Sequence, residues 1–245
     1  MSVPLDGEPQ LLIEATRASA PGQVSWSPRG DAIAYVQPAP PNAAAGLYVA
    51  PTGAVPLDPV PVVSPSSDGR RTVSTFAWTP DGSALLYTMA STTGDPLLGG
   101  DLFQVPAAGG APKLVAGASR VAQVAAVTRF ALSPDGAGVA YVITAPDDNG
   151  KPSDSLWLQP LNGSETTRLS VGNGERVTGI WWTNDGLVWE TSPSTGEDGT
   201  LTLYRARAGE TPGIVYDGPA TPATPQASSF ASPAATPEPA TPSVE

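Results

Sequence analysis

The sequence contains no cysteine and no histidine. The first absence excludes disulfides, thiolate nucleophiles and cysteine-bound zinc, and is compatible with a reducing or an oxidising compartment. The second removes the usual general base near neutral pH, the Ser-His-Asp relay and the commonest ligand of zinc, copper and iron. Most hydrolytic mechanisms are thereby excluded within these residues, and no catalytic, cofactor-binding or metal-ligating set is expected. No apolar run approaches the roughly 20 residues of a membrane span, and Met1 to Ser19 lacks the basic start and apolar stretch of an export signal. Charge is scarce as well. Only 14% of the 245 residues are charged, 12 basic against 23 acidic, for a formal net charge of −11. Such a chain is repelled by phosphate backbones and anionic lipids, so neither nucleic acid nor membrane insertion is expected.

What is abundant is turn chemistry. Glycine (26) and proline (29) together outnumber the charged residues, which favours short elements separated by turns over long helices with salt-bridged faces. Apolar residues make up 40% of the chain, enough to fill a core. The composition points to an all-β chain.

One pattern recurs four times. Trp26-Ser27-Pro28-Arg29-Gly30, Trp78-Thr79-Pro80-Asp81-Gly82, Leu132-Ser133-Pro134-Asp135-Gly136 and Trp182-Thr183-Asn184-Asp185-Gly186 lie 52, 54 and 50 residues apart. Before each turn the apolar residues alternate (Val24/Trp26, Phe76/Trp78, Phe130/Leu132, Ile180/Trp182), the period of a strand. Within the turn, proline presets φ, aspartate accepts local N–H groups, and glycine takes the positive φ that re-enters the next strand. That second strand spans Ala32 to Val36, Ala84 to Thr88, Gly138 to Val142 and Leu187 to Thr191. A third contains Leu47-Tyr48, Leu102-Phe103, Leu156-Trp157 and Leu203-Tyr204, and closes on Pro51, Pro106 and Pro160 in three copies. A weaker fourth lies near Pro61 to Val63, Lys113 to Val115, Thr167 to Ser170 and Gly213 to Tyr216. Four strands per ~50-residue unit describe the blade of a β-propeller.

On the turn and the strand that follows it, best seen in Ser133-Pro134-Asp135-Gly136-Ala137-Gly138-Val139-Ala140-Tyr141, the repeats resemble the WD-like β-propeller repeats of TolB-type proteins. Similar blades occur in the non-catalytic propeller of prolyl-oligopeptidase-like enzymes. The resemblance covers about residues 1 to 217. Arg29 in place of aspartate, Leu132 in place of tryptophan and Asn184 in place of proline depart from it. It implies a non-catalytic module that binds a protein or peptide outside the cytoplasm, in the periplasm or secreted.

The blades are expected at about 22–72, 73–126, 127–177 and 178–217. Pro4-Leu5-Asp6-Gly7 matches Pro160-Leu161-Asn162-Gly163, so residues 1–21 read as the outer part of a further blade whose first two strands are missing. Either Leu11 to Ala15 closes a four-bladed ring against the last blade, or the four blades are an arc of a larger propeller. An arc exposes strand edges and invites self-association. Residues 218–245 are dominated by proline, alanine, threonine and serine, too little apolar surface to offset chain ordering, and are expected to form a disordered tail.

The links between second and third strands are long (Gln37 to Gly46, Met89 to Gly100, Ile143 to Asp154, Ser192 to Thr200) and share a face with the links between blades, which makes that face the candidate binding surface. Arg17, Arg70, Arg71, Arg120 and Arg176 lie on the blade-to-blade links. A central cluster of these arginines would hold a carboxylate or another anion, inside a rim of Asp95, Asp101, Asp147, Asp148, Asp154, Glu197 and Asp198. Trp181 stands where the other blades have Ser25, Ala77 and Ala131, and either fills a blade junction or offers a binding surface. Asp147-Asp148-Asn149-Gly150 lacks the spacing of a twelve-residue calcium loop. Arg29-Gly30-Asp31 and Asn162-Gly163-Ser164 read as repeat turns rather than adhesion or glycosylation signals. A hydrolase would need a Gly-x-Ser-x-Gly elbow and a histidine, so the enzyme alternative is an accessory propeller whose catalytic domain lies outside these residues.

Overall fold

The computed structural model describes residues 22–38, 44–52, 59–93, 100–118, 125–163, 165–169, 171, 175–193, 200–207 and 212–219. They form four antiparallel four-stranded sheets, each with its strands side by side in chain order. The first blade comprises β1 (Val24–Trp26), β2 (Ala32–Pro38), β3 (Ala45–Pro51) and β4 (Val60–Val63). The second comprises β5 (Arg71–Trp78), β6 (Ala84–Ser91), β7 (Leu102–Pro106) and β8 (Lys113–Ala116). In the third are β9 (Ala126–Leu132), β10 (Gly138–Pro146), β11 (Pro152–Pro160) and β12 (Thr167–Leu169). The fourth holds β13 (Glu175–Thr183), β14 (Gly186–Pro193), β15 (Thr200–Ala206) and β16 (Gly213–Pro219). The last strand runs two residues past the expected boundary, because Thr200 and Leu201 give Pro219 and Gly218 partners. The expected partial blade and nearly all of the expected tail fall outside the described residues.

The core lies between the blades. One apolar cluster joins Ala34, Val36 and Leu47 of the first blade to Val73, Phe76 and Trp78 of the second. Another joins Leu86 and Leu102 to Val127, Val139 and Tyr141, and a third joins Ala140, Val142 and Leu156 to Ile180, Leu187 and Trp189. Strand alternation therefore supplies two apolar faces per blade, one for each neighbour, as expected of strands covered on both sides. Two tryptophans of the turn motif also tie joints by hydrogen bonds. Trp78 Nε1 donates to Ser25 O (3.2 Å) and Trp182 Nε1 to Ala131 O (3.0 Å). Small residues at 25 and 131 let the indole approach that carbonyl. Trp26, their counterpart in the first blade, is 58% exposed, as at the open end of an incomplete propeller.

At the opposite ends of the same strands each joint is stapled once more. Ala45 N donates to Thr72 Oγ1 (2.8 Å), Val127 N to Gly100 O (2.6 Å) and Val177 N to Asp154 Oδ2 (2.9 Å). Gly100 has no substitute here: its φ is +93°, and a Cβ would sit 2.6 Å from Ala126 Cα.

The turn carboxylates act as caps. Asp81 accepts from the hydroxyls of Thr79 and Ser83 and from Ser83 N, and the Thr79 bond above all holds its pKa down to about 2. The Ser133 hydroxyl lowers Asp135 in the same way, while backbone N–H groups of Arg70 and Lys151 lower Asp68 and Asp147. A depressed folded pKa contributes stability above the unfolded value, near 3.9, that is lost as pH falls through the folded one. Asp81→Asn should therefore remove part of the stability loss between about pH 4 and pH 2. Tm measured across that window checks this, and a profile parallel to that of the unsubstituted protein would contradict it.

Candidate functional site

The innermost strands of three blades border an open pocket of about 400 Å³. Thr75 and Phe76 line it from β5, Thr128, Arg129 and Phe130 from β9, and Thr178, Gly179 and Trp181 from β13. A local irregularity brings polar groups there. Between Val73 and Thr75, at the β9 segment opposite Val142 and Ile143, and between Val177 and Gly179, the pairing slips by one residue. A bulge leaves that residue unpaired and re-aims its neighbours.

Arg129 is exposed and makes no ion pair among the described residues, so in a chain of net charge −11 it is a local focus of positive potential. Trp181 is 48% exposed, and its ring lies over Gly179, where any Cβ would collide with it. Glycine at 179 is thus what lets the indole lie flat along its own strand. Thr178 donates its hydroxyl to the Glu190 carboxylate, which fixes this edge. Together these groups offer a guanidinium for bidentate contact with a carboxylate, hydroxyls, and an aromatic surface.

The arginines expected to cluster are placed differently from one another. Arg17 and Arg120 lie outside the described residues. Arg70, on the link into β5, and Arg71, the first residue of that strand, are exposed; Asp68 accepts from Arg70 N and Ser66 Oγ accepts from Arg71 N. Arg176 is committed within the joint between the third and fourth blades. Its Nε stands 2.9 Å from Asp154 Oδ2, with the arginine side chain 33% exposed and the aspartate side chain 0%. The contact is an ion pair without an aligned N–H, since Nε has no hydrogen-bond partner. Asp154 also accepts from Thr144 Oγ1 (2.6 Å), so it belongs to the joint rather than to an acidic rim. Asp101 is similarly occupied by Ala118 N (2.9 Å), and Asp147 caps its own turn through Asn149 N and Lys151 N. Asp95, Glu197 and Asp198 lie outside the described residues.

Arg129 lies on an inner strand, β9, and not on one of the links. A signal was present: Val73-Ser74-Thr75-Phe76, Val127-Thr128-Arg129-Phe130 and Val177-Thr178-Gly179-Ile180 each space their apolar residues by three instead of two, as a bulge requires.

No family model matches the chain, and no curated protein does. Solved structures do. A structure from work on two prolyl endopeptidases is similar over 82% of this chain and 29% of its own, at 17% identity and TM-score 0.59. Oligogalacturonate lyase from Vibrio parahaemolyticus is similar over 80% of this chain and 53% of its own, at 14% identity and TM-score 0.55. Prolyl oligopeptidase B from Galerina marginata gives 82%, 31%, 13% and 0.54 for the same quantities. The fold is a β-propeller. Likeness at such identities carries the architecture and no activity, and the propeller described above spans about a third to a half of the length of these proteins.

Proposed function

We propose that the chain is a non-catalytic binding module that receives a protein segment or peptide, with Arg129 and Trp181 as its anchor in the channel. The observation that carries this reading is a guanidinium with no ion pair among the described residues and a half-exposed indole that line one pocket between strands of three blades. Arginine and tryptophan in such a setting are the side chains that dominate binding energies. A carboxylate-bearing peptide with one apolar or aromatic residue matches the pair. The Ser133-Pro134-Asp135-Gly136 turn and its three variants support a TolB-like, extracytoplasmic setting for this role.

A panel of short acetylated peptides ending in an aromatic residue and a free carboxylate, titrated against the full chain by tryptophan fluorescence, tests it. Binding should weaken about tenfold or more in Arg129→Glu and in Trp181→Ala. Affinity indifferent to both changes would overturn the site. Turnover of peptide, ester or glycoside substrates abolished by one carboxylate substitution would overturn the non-catalytic assignment. The second reading, an accessory propeller of a prolyl-oligopeptidase-like hydrolase, is supported by the likeness to two prolyl peptidase structures, of whose chains 29% and 31% are covered.

A further inference from the structure

The joints differ at the end of the molecule that carries the repeat turns. Between the first and second blades, the Arg29 side chain lies 3.4 Å from the Cβ position of Gly82, and between the second and third, Pro80 lies 3.3 Å from that of Gly136. Successive turns thus pack on one another. The gap left at the second joint, lined by Pro80, Gln104, Asp135 and Leu161 among others, is about 220 Å³.

The fourth blade breaks this pattern twice. From the turn glycine to the strand aromatic there are five positions in Gly30 to Tyr35, Gly82 to Tyr87 and Gly136 to Tyr141, but three in Gly186 to Trp189. Its turn is two residues shorter, and Asn184 replaces the proline. The third strands of the other blades end on Pro51, Pro106 and Pro160, opposite Ala32, Ala84 and Gly138. In the fourth, Leu187 faces Ala206 and the next residue is Arg207. With both prolines and two turn residues missing, the third joint opens into a groove of about 680 Å³. Leu158 and Leu169 form one wall, Trp182, Leu187 and Ala206 the other, and Asp185 and Arg207 the rim.

The chain carries a match for what is missing. The second and third turns begin Thr79-Pro80-Asp81 and Ser133-Pro134-Asp135, and Thr236-Pro237-Glu238 repeats that hydroxyl, proline and acid order beyond the last strand. Residues 220–245 contain Glu238 and Glu245 and neither lysine nor arginine, whereas Arg205 and Arg207 stand beside Asp185 at the groove, each 3.9 Å from its Oδ2. Reach is sufficient. From Pro219 to Thr236 is 17 residues, about 53 Å in polyproline II geometry. Returning along β16 takes about 23 Å at strand rise, and crossing three strands about 14 Å more.

We propose that the segment around Thr236-Pro237-Glu238 docks in cis into the groove between the third and fourth blades, its proline against Trp182 and the leucines and its glutamate towards Arg207. It supplies from outside the repeat what the shortened turn omits. Extended proline segments recognised by aromatic-lined grooves bind with little loss of conformational freedom, because their backbone is already ordered.

Photo-crosslinking of the full chain tests this. Thr167, exposed at the edge of the groove, is replaced by a photoreactive residue (Thr167→p-benzoylphenylalanine). Lys113, which pairs with Gln104 as Thr167 pairs with Leu158, is the matched control at the filled joint (Lys113→p-benzoylphenylalanine). The expected result is an intramolecular crosslink from position 167 into residues 230–245, at least about fivefold above that from position 113. It should fall several-fold when Pro237→Ala and Glu238→Ala are added, changes that touch none of the sixteen strands. Equal yields from the two positions, a yield indifferent to the double substitution, or a product with the mass of two chains would each overturn the proposal.

Discussion

Asp154→Ala should cost about 2–4 kcal/mol of stability and loosen the joint between the third and fourth blades. The carboxylate is buried and serves three groups from two blades: Thr144 Oγ1, Val177 N and the Arg176 guanidinium. Removing it strands a buried backbone donor and leaves Arg176 unpaired. Because the arginine side chain is 33% exposed, water relieves part of that loss, which keeps the effect below the full penalty of breaking a buried ion pair. Asp154→Asn keeps an oxygen acceptor and should lose roughly half as much. Adding Arg176→Met to Asp154→Ala should restore some stability, since it deletes the uncompensated charge. Equilibrium denaturation of the four proteins measures this. An Asp154→Ala variant within about 0.5 kcal/mol of the parent would show that the carboxylate does not hold the joint.

Trp189→Ala is expected to have the largest effect of any single change in the fourth blade, about 3–5 kcal/mol. The ring is fully buried, packs in the cluster with Val142, Leu156, Val177 and Leu187, and stacks on Tyr204 with centroids 5.4 Å apart and planes 11° apart. Equivalent stacks join Tyr35 to Tyr48 and Tyr87 to Phe103, so the pair of aromatics on second and third strands is a repeated element of the blade. Trp189→Phe should cost much less, about 1–2 kcal/mol. It keeps a ring against Tyr204 and removes an indole N–H that has no acceptor among the described residues. Near-ultraviolet circular dichroism with denaturant titration follows both variants. Equal losses for alanine and phenylalanine would mean that the stack contributes nothing beyond volume.

These two residues mark the difference between what was readable and what was not. Trp189 is placed by its repeat position alone, as the counterpart of Tyr35, Tyr87 and Tyr141, because a turn shorter by two residues keeps the strand alternation in phase and so preserves its face. Asp154 reads as part of an acidic rim in the sequence, since a loop-end carboxylate looks the same whether it meets water or an arginine from the next blade. The carboxylate that engages Arg176 is likewise invisible to local pattern, since it lies 22 positions away. Trp181 departs visibly from the small residues of the other blades, yet its flat lie depends on Gly179.

By itself, the sequence determined the sixteen strands, their grouping into four blades and the turns that join them. Those features depend on local φ preferences and on periods of two residues, which neighbouring positions suffice to express. Only the tertiary structure decided which charges are spent inside joints, that Arg129 lines a pocket between three blades with no ion pair among the described residues, and where a shortened turn opens a groove. These are properties of surfaces brought together from different blades, and burial and pairing across them are set by distances that no local pattern contains.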